Sequence, residues 1–140
     1  MTQVTLGIIE QAISNALEAN ANLAALCVGG IFDSELPRGA ATPGCVFQYV
    51  SGGDENTNPR ASVDGKWRVE CIATTRAAAV QGAGYIYDAL LNASVTIPGT
   101  FGTWTMWRAE QDQFFSQVEH ILGVVYYRKG GFYLFSADNA

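Results

Sequence analysis

The alternation of polar and apolar residues from Lys66 to Thr74 constrains the fold more than any other feature of the sequence. Every second side chain is apolar, namely Trp67, Val69, Cys71 and Ala73. The positions between them are polar, apart from Ile72. A period of two is typical of a strand with one buried and one solvated face, so this segment predicts a half-buried antiparallel strand.

Two segments show the three- and four-residue spacing of amphipathic helices. The first runs from about Thr5 to Asn20, and after a break at Asn20-Ala21-Asn22 a short helical turn from Leu23 to Leu26 ends at Gly29-Gly30. The second runs from a cap at Thr74 or Thr75 to about Asn92. Its predicted buried stripe consists of Ala79, Ala83, Ile86 and Leu90.

Two glycines lie inside the second predicted helix. Gly82 and Gly84 each lower helix stability by roughly 1 kcal/mol relative to alanine. They either permit close packing on the sheet or bend the helix, and the sequence leaves both alternatives open.

The remaining segments are predicted to be strands and turns. Strands are expected over 45–50, 95–97, 103–109, 118–128 and 132–135. A turn is expected at Pro98-Gly99, and Lys129-Gly130-Gly131 has the composition of a tight hairpin turn. Residues 51–65, which are rich in Gly, Asp, Asn, Ser and Pro, are expected to form a long hairpin loop or arm.

These elements predict a single α+β domain covering residues 1–140. An antiparallel β-sheet with two main helices packed on one face satisfies their order, with the 51–65 loop extending from it. At 140 residues the chain buries enough surface for one core. The last residues, 129–140, are expected to form either a subunit-contact arm or a strand that completes the sheet.

Composition argues against several functions. The net charge of −5 and eight scattered basic residues disfavour nucleic-acid binding as the main role, because phosphate binding needs clustered cations. The N-terminus has no basic signal-peptide region, and no apolar run has membrane-spanning length, so we expect no membrane partner. Only 15% of residues are charged, which favours a surface partly covered by neighbouring subunits.

Cysteine and histidine content predicts neither a metal site nor a cofactor. Cys27, Cys45 and Cys71 are widely spaced in apolar runs, as expected of buried free thiols in a reducing compartment. With His120 as the single histidine, the close spacings of a zinc site are absent. The Asp54–Asn58 segment lacks the ligand spacing of an EF-hand calcium loop.

The same search predicts no catalytic residue. His120 lies within a predicted strand and has no recognisable nucleophile setting nearby in sequence. The carboxylate pairs Asp33/Glu35 and Glu110/Asp112 are interpreted as solvated acids in or beside loops. Aromatic residues are frequent near the C-terminus but are not interleaved with basic ones, which favours core and interface roles over base stacking.

Four stretches together resemble the tail-completion, or tail-terminator, family of tailed bacteriophages. They are the Ala/Leu-rich segment 21–32 with its Gly-Gly, the strand 43–53 ending in Val-Ser-Gly-Gly, the strand and Ala-rich helix beginning at Trp67, and the 118–128 strand with His120 and Tyr-Tyr-Arg. Residues 98–112 match the family pattern only loosely. Residues 130–140 extend past the expected end of the family.

The resemblance implies a non-enzymatic structural virion protein. Its members form a ring, commonly a hexamer, that caps the tail tube and joins it to the head or neck. The implied partners are copies of the chain, the tail tube protein and a head-completion protein, with genome DNA only passing through the lumen. The implied location is the virion tail, after assembly in the host cytoplasm.

Candidate contact residues come from the polar loop and from the aromatic C-terminal part. They are Asp54, Glu55, Asn56, Arg60, Trp107, Phe132, Tyr133 and Phe135. Two alternatives stay open: another neck protein, such as a head-closure or minor tail protein, and a small-ligand binding module that uses the Trp- and Tyr-rich strands.

Overall fold

The computed structural model describes the backbone of residues 2–35, 41–54, 62–91, 95–99 and 102–139, and the side chains of residues 9–35, 41–51, 64–91 and 111–136. Helices and strands follow one another in the order α1 (Thr2–Ala19), α2 (Ala21–Leu26), β1 (Ile31–Asp33), β2 (Gly44–Asp54), β3 (Ser62–Ala73), α3 (Arg76–Leu90), β4 (Val95–Gly99), β5 (Gly102–Ile121) and β6 (Val124–Asn139). The α+β prediction is confirmed.

The strands that the structure describes form one six-stranded sheet in the order β1-β2-β3-β6-β5-β4. All neighbours are antiparallel except β1 and β2, which are parallel. The sheet is therefore mixed, whereas the sequence predicted an antiparallel one. The difference comes from β1, whose three residues are too few to show a period of two.

The core lies between the two main helices and one face of the sheet. From α1, Ile9, Ile13 and Leu17 project at four-residue intervals and are fully buried. From the sheet, the predicted apolar face of β3 meets them, with Trp67, Val69 and Cys71 fully buried. The placement of both main helices on one face, predicted from the two spacings, is confirmed.

Helix α1 contacts every strand of the sheet, including the two edge strands β1 and β4. The sheet therefore curls around this helix. Register shifts at 106/108 and 111/113 in β5 increase the local bend, as β-bulges do. The Trp67 indole, deep in this curl, donates a 3.4 Å hydrogen bond from Nε1 to the Glu10 carboxylate.

Helix α3 begins at the predicted cap. The Thr75 hydroxyl accepts a hydrogen bond from the backbone N–H of Ala78, and the helix ends at Leu90. Gly82 faces the sheet, where an added Cβ would lie 2.3 Å from the Cys71 sulfur. Close packing, one of the two alternatives left open by the sequence, thus explains Gly82. Gly84 faces open space.

The strands on both sides of the predicted 51–65 loop extend into it, so the loop is shorter than its composition indicates. β2 continues to Asp54 and β3 begins at Ser62, with Asp54 opposite Val63. Polar and glycine-rich residues at both ends of the segment are thus in strands. Residues 55–61 lie outside the described residues.

The C-terminal half differs most from the prediction. β5 is a single strand of 20 residues that includes both 103–109 and the start of 118–128, and Pro98-Gly99 belongs to β4. The predicted turn at 129–131 is wrong, because these residues lie inside β6. The C-terminal segment is a strand that completes the sheet, lying between β3 and β5. Among the described helices, none is long and apolar enough to cross a membrane.

Candidate interaction surfaces

The turn between β5 and β6 has a defined two-residue geometry. Ile121 pairs with Val124, and the intervening Leu122 and Gly123 have φ angles of 50° and 81°. Positive φ at both positions is the pattern of a type I′ turn, in which Asn-Gly is the favoured pair. Leucine is therefore an unusual residue at position 122.

This turn carries an apolar surface, which we call the hairpin tip and define as Val118, Ile121, Leu122 and Val124. Leu122 is 100% exposed, and the other three are each exposed by 40–50% of their surface. No charged residue occurs from 121 to 127. The tip therefore projects uncompensated apolar area into solvent.

A second apolar surface lies between α3 and β5. Helix α3 packs mainly on β3 and β6, so β5 continues past it and leaves a groove of 790 Å³. Val80, Gly84 and Tyr87 line the helix side, and Phe114, which is 88% exposed, lines the strand side. We call this the α3–β5 groove.

Exposed apolar side chains are concentrated at these two places. Among the described residues, eleven large apolar side chains are exposed, and eight lie on the tip or along the groove and the adjoining turn of α3. Large exposed apolar patches on a small protein mark sites of contact with other chains. The tip and the groove are therefore the candidate interaction surfaces.

The sheet face without helices carries a charged network. Arg128 donates a 2.7 Å hydrogen bond from Nε to Glu70, and its Nη groups contact the carboxylates of Glu70 and Glu119. Arg68 lies on the other side of Glu70, with Nε 3.3 Å from Oε2, and donates a 2.7 Å hydrogen bond to Gln48. The network joins side chains of β2, β3, β5 and β6.

Glu70 is the central residue of this network. Its position on the polar face of β3 predicted exposure, but it is only 1% exposed because the two arginines cover it. Burial lowers the pKa of Arg128, but hydrogen bonds to Glu119 and Glu70 outweigh this effect and the pKa is raised. The charges cancel within the network, so it holds strands together and offers no free cationic patch.

Three of the four predicted aromatic contact residues, those on β6, have different environments. Phe132 is partly exposed on the helix-free face, where its ring packs edge-on against Phe115 and lies 5.5 Å from the Lys66 ammonium. Tyr133 and Phe135 are 1% exposed and belong to the core. Burial raises the pKa of the Tyr133 phenol. Only Phe132 of these three presents surface to a partner.

The other predicted contact residues are only partly described. Asp54 is the last residue of β2, and Trp107 lies at the bulge between Met106 and Arg108 of β5. Their side chains, and the residues Glu55, Asn56 and Arg60, lie outside the described residues. Among the members whose side chains are described, Phe132 lies on the helix-free face and Tyr133 and Phe135 lie in the core, so these three do not form one site.

The three cysteines form a buried cluster beneath α2 and α3. Cys45 and Cys71 are opposite each other on β2 and β3, and the Cys71 thiol donates a hydrogen bond to the Cys27 sulfur, which lowers the pKa of Cys27. Burial raises the pKa of Cys45, and the hydrogen bond to Cys27, followed by burial, raises that of Cys71. All three are free thiols.

The described residues that could take part in catalysis or metal binding do not form a cluster. His120 lies on β5, as the sequence predicted, near the tip, and its side chain is exposed. Asp112 forms a 2.9 Å ion pair with Lys66. Within the described residues, no group of three or more His, Cys, Asp or Glu side chains is placed to hold a metal ion.

Sequence reasoning missed the hairpin tip. The run from Val118 to Arg128 resembles one continuous apolar strand, because Leu122-Gly123 interrupts it with only one glycine. The available signal was that glycine, preceded and followed by strand-forming residues. The groove gave no signal, since it depends on where α3 lies relative to β5.

These features define a structural α+β protein whose exposed apolar surfaces suit contacts with other protein chains. A family model described as tail completion protein gp17 matches residues 11–128. The chain belongs to this family and is a structural protein of the virion tail. The resemblance found in the sequence is thereby confirmed, and the family match ends at Arg128, ahead of the last eleven residues of β6.

Solved structures support the fold assignment. A chain in the virion of a native gene transfer agent particle matches with a TM-score of 0.57 and 19% sequence identity, covering 95% of both chains. At this identity the likeness concerns the fold. No curated protein matches the chain.

Proposed function

We propose that this protein is a tail terminator, a ring-forming subunit that caps the tail tube and joins it to the head or neck. Membership of the tail completion family carries this proposal. The ring is a hexamer of identical subunits, and its partners are the tail tube protein on one side and a head-completion protein on the other. Assembly takes place in the host cytoplasm before the ring enters the virion.

Two properties of the chain support a ring. It has two separate apolar surfaces, the hairpin tip and the α3–β5 groove, whereas an isolated monomer rarely exposes such patches without a partner. The net charge of −5 suits a channel through which DNA passes, because a wall of the same sign as DNA disfavours binding.

Phe132 and the polar loop residues predicted from the sequence are proposed to make the contacts of the ring. Phe132 is partly exposed and lies near the cation of Lys66, so it is suited to a subunit contact. Asp54, Glu55, Asn56 and Arg60 are proposed to contact a neighbouring ring or tube.

Sedimentation of the purified chain over a wide concentration range tests ring formation, and electron microscopy of mixtures with tail tubes tests capping. We expect a closed oligomer and one ring at a tube end. A protein that stays monomeric at high concentration and does not bind tube ends contradicts the proposal. A head-closure role, the nearest alternative, predicts binding to the head portal side and none to tube ends.

A further inference from the structure

We propose that the hairpin tip of one copy inserts into the α3–β5 groove of a second copy, and that this contact repeats around the ring. The inference rests on the proposed ring and specifies the surfaces that build it. Four features of the molecule support this contact: the conformation of Leu122, the shape of the groove, the distance between the two surfaces and their charges.

Leu122 is disfavoured at its position in two independent ways. Its φ of 50° is in the left-handed region, which suits Gly, Asn or Asp better than a side chain without local hydrogen bonding. It is also fully exposed, where an apolar side chain gains nothing. A contact outside the protomer explains a leucine that neither the turn nor solvent favours.

The groove has the size and the lining to receive such a side chain. Its 790 Å³ volume is within the range of clefts that bind ligands of several side chains' bulk. Gly84 lies in its helix wall, and nothing lies within 4 Å of where a Cβ would be. Val80, Tyr87 and Phe114 then provide apolar walls on both sides of that space.

A subunit cannot place its own tip in its own groove. Ser116 lines the groove, and Leu122 is six residues further along a paired strand, a separation of about 20 Å at the usual rise per residue. The two strands are hydrogen-bonded to the turn, so the ribbon does not fold back. The occupant of the groove must therefore belong to another molecule.

The charges of the two surfaces are compatible. The groove contains two carboxylates, Asp88, for which no ion pair occurs among the described residues, and Asp112, which is paired with Lys66. Lys129 also lines it and donates a 2.6 Å hydrogen bond to Ser116. The span of the tip contains one carboxylate, Glu119, which is paired with Arg128. His120, next to it, lies on the same strand face as Val118. Glu119 and Asp112 are thus each balanced by a cation of their own subunit, and the imidazole of His120 is a hydrogen-bond donor for Asp88.

A tip that enters a different surface of an identical neighbour makes a heterologous contact. Such contacts leave one tip and one groove free on every pair, so they continue until a ring closes or a filament grows. A tip-to-tip contact would instead stop at a dimer. The inferred contact is thus the kind that the proposed ring requires.

The test uses one substitution on each surface, and neither is expected to harm the fold. Leu122→Asn places the favoured Asn-Gly pair in the turn and removes the apolar knob. Gly84→Arg fills the groove, while arginine favours the helix and is four residues from Asp88. Leu122→Met and Gly84→Ala are the matched controls, since the first keeps an apolar knob and the second adds only a methyl group.

We expect Leu122→Asn and Gly84→Arg to raise the melting temperature of the monomer by about 3 °C and to weaken self-association at least ~30-fold, as loss of a central interface residue does. The two controls should assemble like the wild type. In a mixture, the intact groove of Leu122→Asn accepts the intact tip of Gly84→Arg. Sedimentation should then show a dimer with one copy of each variant and no larger species.

Other outcomes distinguish a wrong tip–groove contact from a wrong ring proposal. If the wild type assembles and either variant assembles equally well, the tip–groove contact is wrong while the ring proposal stands. The contact is equally wrong if both variants are monomeric and the mixture forms no mixed dimer. A wild type that neither assembles nor binds tube ends contradicts the proposed function itself. Should a variant fail to fold, Leu122→Asp or Val80→Asp replaces it in the same test.

Discussion

The guanidinium of Arg128 donates a 2.7 Å hydrogen bond from Nε to the carboxylate of Glu70, on the sheet face that carries no helix. The two residues lie on neighbouring strands, β6 and β3, and are 58 positions apart in the sequence. Their contact ties the C-terminal strand to the strand that the sequence predicted most clearly. Glu70 also lies beside Arg68, and Glu119 lies beside Arg128, so two carboxylates balance the two arginines.

Replacing Glu70 by glutamine should destabilise the protein by about 2–3 kcal/mol, because two arginines then lose the charge that compensates them. The arginines are partly exposed, which keeps the loss below that of a fully buried pair. Urea unfolding measures the difference. Glu119→Gln is the matched control, with an expected loss below about 1 kcal/mol because Glu119 is more exposed. Equal losses for the two variants contradict a central role for Glu70.

The two glycines of α3 should respond in opposite directions to alanine. Gly82→Ala brings a methyl group against the Cys71 side chain and should cost about 1–3 kcal/mol. Gly84→Ala meets no atom and should stabilise the helix by up to about 1 kcal/mol. Thermal unfolding of the two variants side by side checks the prediction. A stabilising Gly82→Ala would show that α3 does not pack closely on β3.

Glu10 predicts a specific dependence of stability on pH. Burial, together with the charge of Asp33, raises the pKa of Glu10 above its ordinary 4.5, although the hydrogen bond from Trp67 lowers it. A carboxyl whose pKa is raised on folding stabilises the fold fully below its unfolded pKa and loses that contribution as pH rises through the folded value. Glu10→Gln keeps an oxygen that accepts from Trp67, so it should be more stable than wild type at neutral pH and equal to it below pH 4.5.

Unfolding free energies of the two proteins, measured between acidic and neutral pH, test this. Glu18→Gln, on an exposed position of the same helix, is the matched control. A Glu10 variant that is less stable at neutral pH contradicts the inferred cost of burying the carboxylate.

The three thiols should be unreactive in the folded protein. Cys45 and Cys71 are fully buried, and the thiolate, which is the reactive form, is further disfavoured by their raised pKa values. A thiol reagent in excess should therefore modify them only as fast as the protein opens. We expect Cys27 to react first, because it alone keeps some exposure and its pKa is lowered. Rapid modification of Cys45 in the folded protein contradicts the described core.

The sequence predicted those elements that periodicity alone determines. α1, β3 and α3 have regular apolar spacing over at least nine residues, and the Thr75 cap agrees with the structure. Ala79, Ile86 and Leu90 of α3 are buried as predicted, whereas Ala83 is only half-buried and Gly82 takes its place against the sheet. In each of these, one face meets a single continuous core. Local spacing is then sufficient to identify the face.

Prediction failed where a residue's role depends on a distant strand. Gly130 looked like a turn residue, but it lies in β6 opposite Glu70. Glycine is required there by close packing and not by a turn, because an added Cβ would be 2.0 Å from the Val69 carbonyl oxygen. The true turn contains Leu122, which no turn propensity would favour. Glu70 is buried by arginines 2 and 58 positions away, which a period of two does not reveal.

The candidate surfaces were the least predictable part. The groove exists because α3 covers β3 and β6 and leaves β5 uncovered, and only the packed structure sets that offset. Two of the predicted contact residues, Tyr133 and Phe135, face the core because the bulges of β5 and the curl of the sheet enclose their side of β6.

Reconstruction of an assembled particle that contains this chain would locate the protein in the virion. We expect its density as a closed ring at the head-proximal end of the tail tube, with the β5–β6 turn of each subunit seated against α3 of the next. Density for the chain along the tube, at the distal tip or in the head shell would contradict a tail terminator.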